Sequence, residues 1–287
     1  MRRFVLPLLL ILPACSPLGT FDSLVPKDGG TQIAAKDARF APGARGTLDI
    51  YAPRNRANAA RLPVIVFFYG GSWRGGAKGT YGFAARALAA QGFIVALPDY
   101  RLFPEVRFPT FLQDNAAAVK WVRANIARYG GDPDRIVLAG HSAGAYNAAM
   151  LSVDPRWLGP DRAAVKGLVA LSAPYAFLPL DVQATIDTFG QAPDLPATQP
   201  INFASRDDPP ALLIGGGADE LVSPRQGPNM AAALTKAGGK AEAIVYPGVG
   251  HVGTLTAFAR LFRGKAPVLR DVVAFARRVT AEPPPAR

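Results

Sequence analysis

Ser142 is the residue in this chain whose surroundings most clearly indicate chemistry. It stands at the centre of a Gly-His-Ser-Ala-Gly pentapeptide, residues 140–144. The apolar run 135–139 before it is typical of a buried strand, and the alanine-rich stretch 145–151 after it is typical of a helix. Glycine two positions to either side of the serine permits a turn so tight that larger side chains would collide with the backbone. The pattern therefore predicts a nucleophile elbow, which exposes the serine hydroxyl, rather than a chance turn.

A serine hydroxyl is a weak nucleophile unless a neighbouring base accepts its proton. The chain offers two histidines, His141 and His251. His141 is adjacent to Ser142 at the end of a strand, so its side chain is expected to point away from the hydroxyl. His251 lies in a loop that follows the apolar run 243–245. We therefore predict that His251 is the base and not an ordinary surface-loop histidine.

A carboxylate is needed to orient the imidazole and to stabilise its charged form. Asp219 follows the apolar run 212–214 and three glycines, which places it at the end of a predicted strand. Glu220 is the second candidate, although it is expected to be a solvated loop carboxylate. With Asp219, the chain order is serine, aspartate, histidine, which is the order in α/β hydrolases and differs from that in chymotrypsin-like and subtilisin-like enzymes.

Acyl transfer also requires hydrogen-bond donors for the oxyanion of the tetrahedral intermediate. One predicted donor is the backbone N–H of Ala143, the residue after the serine. The others are predicted in the loop that follows the apolar strand 63–68, where glycine allows the backbone to approach a ligand closely. Gly71 and Ser72 are the favoured donors, Gly70 is a weaker candidate, and a simple strand-ending turn is the alternative.

Three further blocks resemble one group of enzymes. Residues 69–73, Tyr-Gly-Gly-Ser-Trp, resemble the HGG-x-W motif of small esterases, kynurenine formamidases and hormone-sensitive-lipase-like carboxylesterases. Residues 98–105 resemble the D-Y-R-L-x-P-E block of the same group, and residues 47–53 resemble its opening L-D-I-Y-x-P strand. Together with the elbow, the resemblance extends over residues 45–280.

The resemblance implies an α/β-hydrolase fold, with a mostly parallel eight-stranded sheet, helices on both faces and a short cap. It also implies ester hydrolysis by a serine nucleophile. Tyr69 stands where the group usually has histidine, which supports the loop by hydrogen bonding; tyrosine can also donate a hydrogen bond, so a shifted loop is expected rather than loss of activity. Asp99 and Arg101 are expected to brace the strand end.

The alternation of strand-like and helix-like segments from residue 62 onwards independently predicts a mostly parallel sheet covered on both faces. The predicted helices are Tyr81–Ala90, Phe111–Tyr129, Ala145–Leu151, Pro224–Ala237 and Lys265–Thr280. The interval 174–209 is proline-rich and is predicted to form a small cap. Trp73 and Phe177 are candidates for a substrate pocket, with Phe189 and Phe203 beside them; packing of the cap on the sheet is the alternative, and it is slightly favoured for these aromatic residues.

The N-terminus has the pattern of an export signal. A short basic region precedes nine apolar residues, Phe4–Leu12, too few to span a bilayer. Residues 1–14 are therefore predicted to be a signal peptide. Cys15 follows a small residue, as in a bacterial lipobox, so it is predicted to carry lipid, with ordinary signal-peptidase cleavage nearby as the alternative. Residues 15–44 are predicted to be an N-terminal extension, and residues 281–287 a disordered tail.

Composition excludes several classes of function. The net charge is +11, but the basic residues are scattered and no nucleic-acid-binding motif is present, so a nucleic-acid partner is not expected. One cysteine and two histidines leave no cluster for zinc and no internal disulfide. No metal or other cofactor is predicted, a membrane would be contacted only through Cys15, and the oligomeric state is left open.

The sequence therefore predicts an exported serine hydrolase of the bacterial cell envelope, lipid-anchored or else periplasmic or secreted, that cleaves esters of small soluble molecules. An arylformamidase-type amidase, with the same loop and triad, is the alternative enzyme. A non-catalytic envelope binding protein is a less favoured alternative, because binding alone would not require the serine, base, acid and glycine loop together.

Overall fold

The computed structural model describes residues 17–55 and 61–281. The predicted signal peptide at 1–14, Cys15 and residues 282–287 of the predicted tail lie outside the described residues. Within the described part of the chain, no helix is long and apolar enough to cross a membrane.

One eight-stranded sheet organises the described residues. Its spatial order is β1-β2-β4-β3-β5-β6-β7-β8, with β1 and β2 antiparallel to their neighbours and all later pairs parallel. This confirms the predicted fold class. The strands are β1 (Thr31–Arg39), β2 (Thr47–Pro53), β3 (Leu62–Phe68), β4 (Ile94–Pro98), β5 (Gly131–His141), β6 (Val165–Leu171), β7 (Ala211–Gly216) and β8 (Ala241–Tyr246).

Helices cover both faces of the sheet. Residues of α2 and α9 belong to the core on one face, whereas α3, α4 and α7 supply most of the helical residues of the core on the other. The helices are α1 (Pro17–Leu24), α2 (Gly82–Ala89), α3 (Thr110–Asn125), α4 (Ala143–Val153), α5 (Pro155–Leu158), α6 (Gln183–Phe189), α7 (Gln226–Lys236), α8 (Gly253–Thr256) and α9 (Val268–Val279).

Strand β3 shows why the central strands read as continuous apolar runs. Ile65 and Phe67 belong to the core on one face, and Val64, Val66 and Phe68 to the core on the other. Because both faces of a covered parallel sheet are buried, neither set of alternating positions can be polar. The loops that carry the predicted site residues follow the carboxyl ends of β3, β5, β7 and β8.

The predicted N-terminal extension, residues 15–44, is not separate from the sheet. It contributes α1 and the edge strand β1, which pairs with β2 from Thr31↔Pro53 to Arg39↔Thr47. Two register irregularities interrupt this pairing, and the strand is mostly half-buried or exposed. It therefore lacks the strict alternation that would have identified it as a strand.

The segment between β6 and β7, which includes the predicted cap at 174–209, is small. Its longest regular element is α6, with seven residues, and two short 3₁₀ turns follow at Pro196–Thr198 and Pro200–Phe203. Arg74 in the glycine loop forms an ion pair with Asp187 of α6 at 2.7 Å. The cap is thus compact and joined to the loop that follows β3.

Candidate active site

Ser142 occupies a strained turn between β5 and α4. Its φ of 54° and ψ of −124° place it outside the regions that side-chain-bearing residues usually occupy. A Cβ at Gly140 would lie 2.4 Å from the carbonyl oxygen of Gly144, and a Cβ at Gly144 would lie 2.2 Å from that of Phe68. Both glycines are therefore required sterically, and the packing of Gly144 on the end of β3 fixes the serine beside the glycine loop.

Asp219 and His251 are brought together from the ends of β7 and β8. His251 Nδ1 lies 2.8 Å from Asp219 Oδ2. The other carboxylate oxygen of Asp219 accepts the backbone N–H groups of Leu221 and Val222 at 2.9 and 2.8 Å. The carboxylate is 1% exposed, whereas Glu220, the second candidate, is exposed. Because Nδ1 faces the carboxylate, Nε2 is the ring nitrogen left for another partner.

Ser142 and His251 line the same cavity, which has a volume of about 480 Å³. Among residues 17–55 and 61–281, the Ser142 hydroxyl has no hydrogen-bond partner. Hydrogen bonds between a nucleophile and its base are often long in the absence of substrate and tighten in the complex. The hydroxyl is therefore uncommitted and lies where a substrate would meet it.

The glycine loop provides backbone donors next to the serine. Gly71 has a φ of 131° and Ser72 a φ of 53°, so the loop follows a path that favours glycine. Within the described residues, the N–H groups of Gly71, Ser72 and Ala143 have no acceptor. The N–H of Gly70, by contrast, donates to the Tyr81 hydroxyl at 2.8 Å. The three favoured donors are thus available, and the weaker candidate is occupied.

His141 is buried in a network that joins the two loops of the site. Its Nδ1 lies 3.2 Å from the Tyr81 hydroxyl, and its Nε2 lies 3.1 Å from the backbone carbonyl oxygen of His251. Since the carbonyl can only accept, Nε2 carries the proton and Nδ1 accepts from Tyr81. Gly70, Tyr81, His141 and His251 therefore form one continuous chain of contacts, and neither ring nitrogen of His141 is free to act as base.

Burial lowers the pKa of His141 to about 3, and this predicts a specific acid sensitivity. Between that value and the ordinary pKa of about 6.5, the unfolded chain binds a proton at His141 that the folded chain does not, so stability falls as pH falls. Replacing His141 with Gln should make the decline shallower by up to about 1.4 kcal/mol per pH unit. Denaturant unfolding of both proteins between pH 4.5 and 7 measures the two slopes, and equal slopes would contradict the assignment.

Tyr69, at the position where the resembled group has histidine, is held by contacts to Tyr100 and Arg45. Its ring stacks on Tyr100 with a centroid separation of 4.4 Å, and its hydroxyl donates to the Tyr100 carbonyl at 3.2 Å. Arg45 donates to the same hydroxyl at 2.9 Å. Asp99 accepts the backbone N–H of Lys78 at 2.9 Å, and Arg101 pairs with Asp114 on α3, so both of these residues bind structural partners.

Trp73 and Phe177, the predicted pocket residues, do not line the cavity that contains Ser142. The Trp73 ring is buried; it packs edge-on against Tyr146 and Phe189 and donates from Nε1 to Asn147 at 3.0 Å. Phe177 joins the same cluster. The aromatic residues therefore fasten the cap to the sheet, which was the alternative interpretation.

Besides the predicted residues, apolar side chains that were not predicted from the sequence line the cavity. They come from α1, from the loop after Asp219 and from the segment after His251, and they are Leu18, Phe21, Leu221, Val252 and Leu255. Leu221 and Val252 could have been suspected from the sequence, because each lies within two residues of the predicted acid or base. Helix α1 could not, because its eight residues show no clear amphipathic pattern.

No metal-binding arrangement is present in the described residues: no group of three or more His, Cys, Asp or Glu side chains is placed to hold an ion. The reactive groups of the site are the Ser142 hydroxyl, the His251 imidazole bound to Asp219 and the backbone N–H groups that have no acceptor among the described residues.

The order of the strands, the serine turn after β5 and the chain order serine, aspartate, histidine define an α/β hydrolase. Residues 48–192 match the BD-FAE family model, and the chain belongs to that family.

Three similar proteins illustrate the relationship. Esterase LipQ of Mycobacterium tuberculosis is 31% identical over 222 residues, which cover 70% of this chain and 53% of LipQ. The probable isoprenylcysteine alpha-carbonyl methylesterase ICMEL1 of Oryza sativa is 44% identical over 105 residues, 37% of this chain and 24% of that protein. A solved structure of a truncated carbohydrate esterase from gut microbiota is 25% identical, with a TM-score of 0.76 and coverage of 90% and 100%. The chain thus spans about half or less of these two curated relatives.

Proposed function

We propose that this protein is a serine hydrolase that cleaves carboxylic esters of small soluble molecules through an acyl-enzyme intermediate. The observation that carries the proposal is the 2.8 Å contact between Asp219 and His251 beside a cavity that also contains Ser142. The unoccupied N–H groups of Gly71 and Ser72 add the donors that acyl transfer needs. The names of the similar proteins, an esterase, a methylesterase and a carbohydrate esterase, support the same class of reaction.

In the proposed mechanism the Ser142 oxygen attacks the ester carbonyl carbon while His251 Nε2 takes the serine proton. The oxyanion that forms is bound by the N–H groups of Gly71, Ser72 and Ala143. Collapse of this intermediate breaks the bond to the alcohol, which leaves with the proton from His251. Water then attacks the acyl-enzyme, giving its proton to the same base, and the acid is released as Ser142 regains a proton. Asp219 holds the imidazole in the required orientation throughout.

The test combines active-site labelling with a substrate panel. A fluorophosphonate probe should label the wild-type protein at Ser142. Among p-nitrophenyl esters, we expect the highest kcat/KM for short acyl groups of roughly two to six carbons, by analogy with other small-cap members of the fold. The seven-residue α6 is too short to cover a long acyl channel. An optimum at long-chain esters would contradict the small-cap argument, and faster turnover of N-formylkynurenine than of every ester would favour the arylformamidase alternative.

We further propose that the protein is exported to the bacterial envelope and anchored through lipid on Cys15. The support is the apolar run Phe4–Leu12 followed by a small residue and the chain's single cysteine. Two acyl chains give stable membrane anchoring, whereas one gives only reversible binding. Intact-mass analysis of the membrane fraction should find a diacylated N-terminal Cys15, and Cys15→Ala should release the protein from that fraction. A soluble wild-type protein beginning at another residue would exclude the anchor.

A further inference from the structure

Helix α1 forms one wall of the cavity that contains Ser142 and His251. Pro17, Leu18 and Phe21 line this wall. None of the eight residues of α1 is fully buried, but Leu18 and Phe21 are partly buried against the core. Because the same two residues line the cavity, the helix shapes the site and is not a spacer before the sheet.

Two kinds of contact hold α1 in place. The Phe21 ring packs edge-on against Phe83 at 5.1 Å and lies 5.5 Å from Phe262. Asp22 Oδ1 accepts the backbone N–H of Phe83 at 2.7 Å. That N–H belongs to the first turn of α2, where such donors lack partners within the helix and a carboxylate is favourable. The position of α1 is therefore set by ring packing of Phe21 and by the cap that the adjacent residue, Asp22, provides for α2.

The chemistry of the cavity restricts what can occupy it. None of the described residues that line it is Asp, Glu, Lys or Arg. Leu221, Val252 and Leu255 line the same cavity as Leu18 and Phe21. A charged group placed among these side chains would lose its hydration without gaining an ion-pair partner. An uncharged, apolar group suffers no such loss and gains from removal of its surface from water.

We propose that α1 is the specificity-determining wall of the substrate pocket, and that the pocket accepts an uncharged ester whose apolar group lies against Leu18 and Phe21. This inference rests on the proposed ester hydrolysis and adds to it the class of substrate and the residues that select it. Each methylene group that becomes buried against the wall should raise kcat/KM by up to about fourfold, the equivalent of its transfer from water. The increase should stop where the cavity is full.

The experiment measures kcat/KM of the full chain on two series of esters. In one, p-nitrophenyl esters extend the acyl group from acetyl to hexanoyl; in the other, alkyl acetates extend the alcohol from methyl to hexyl.

Leu18→Trp, which fills the cavity, should lower kcat/KM for the longest members of one series at least tenfold, and change it less than threefold for the shortest. Asp22→Ala, which removes the cap on α2, should flatten the dependence on chain length while activity on the shortest ester remains.

Leu24→Ala is the matched control, because Leu24 lies on the same helix, is 77% exposed and does not line the cavity. It should leave both series unchanged. If Leu18→Trp does not fold, Leu18→Ala provides the milder test, with a loss confined to the longer esters. Equal effects of the Leu18 variants on short and long esters in both series, or no effect in either, would overturn the inference. Absence of activity on every ester in the wild-type protein would instead refute the proposed function itself.

Discussion

Ser142→Ala should abolish ester hydrolysis, with a loss on the order of 10⁶ in kcat, while the fold is retained. The reason is that the hydroxyl is the only group of the serine that the proposed reaction uses. The turn itself depends on Gly140 and Gly144, whose positions leave no room for a Cβ. Alanine keeps the serine backbone and removes no hydrogen bond among the described residues. Steady-state kinetics on a short p-nitrophenyl ester, with circular dichroism as the check on folding, measures the effect.

Ser152→Ala is a suitable control for this variant. Ser152 lies on the same helix, α4, and its hydroxyl donates to the Ala148 carbonyl at 2.8 Å. A bond of this kind, from a serine to the carbonyl four residues earlier, contributes little to helix stability. The control should therefore retain near-normal kcat. If purified Ser142→Ala retained more than a few per cent of wild-type turnover, Ser142 would not be the nucleophile.

His251→Ala should be almost as damaging, with a loss of at least about 10⁴ in kcat, because the proposed reaction has no second base. His141 is the only other histidine, and its two ring nitrogens are engaged by Tyr81 and by the His251 carbonyl. Burial also lowers the pKa of His141 to about 3, which makes its neutral ring a very weak proton acceptor near neutral pH. Kinetics of the two histidine variants on one ester provides the comparison.

His141→Gln should retain far more activity than His251→Ala, because the glutamine side chain keeps both a hydrogen-bond donor and an acceptor. Any weakening of the contact to the His251 carbonyl should reduce kcat only moderately. A His141 variant more impaired than the His251 variant would mean that the roles of the two residues are reversed.

The parts of the site that the sequence predicted are those with a local steric or chemical cause. The glycines around Ser142 indicate a turn that larger residues cannot form. The glycines before Asp219 indicate the end of a strand. His251 was identified because only two histidines exist and the other is adjacent to the serine. Each of these inferences needs only a few consecutive residues and the order of strands in the fold.

The parts that the sequence did not predict depend on contacts between distant segments. Trp73 was expected in the substrate pocket, but it packs instead on Phe189, which lies on the cap. The role of Phe21 depends on Phe83 and Phe262, and nothing near position 21 indicates these partners. The sheet was recognisable because burial on both faces leaves a continuous apolar signal, whereas the half-exposed edge strand β1 leaves a weak one.

The capping of α2 by Asp22 has a practical consequence for work with this protein. Expression vectors often replace the first residues of a chain with a tag, on the assumption that these residues are dispensable. Here Pro17 already lines the reaction cavity, so a tag fused directly before it would begin at the cavity wall, and a truncation past Asp22 would leave the wall incomplete. Recombinant versions that start on either side of Asp22 should therefore differ in substrate preference even when they fold equally well.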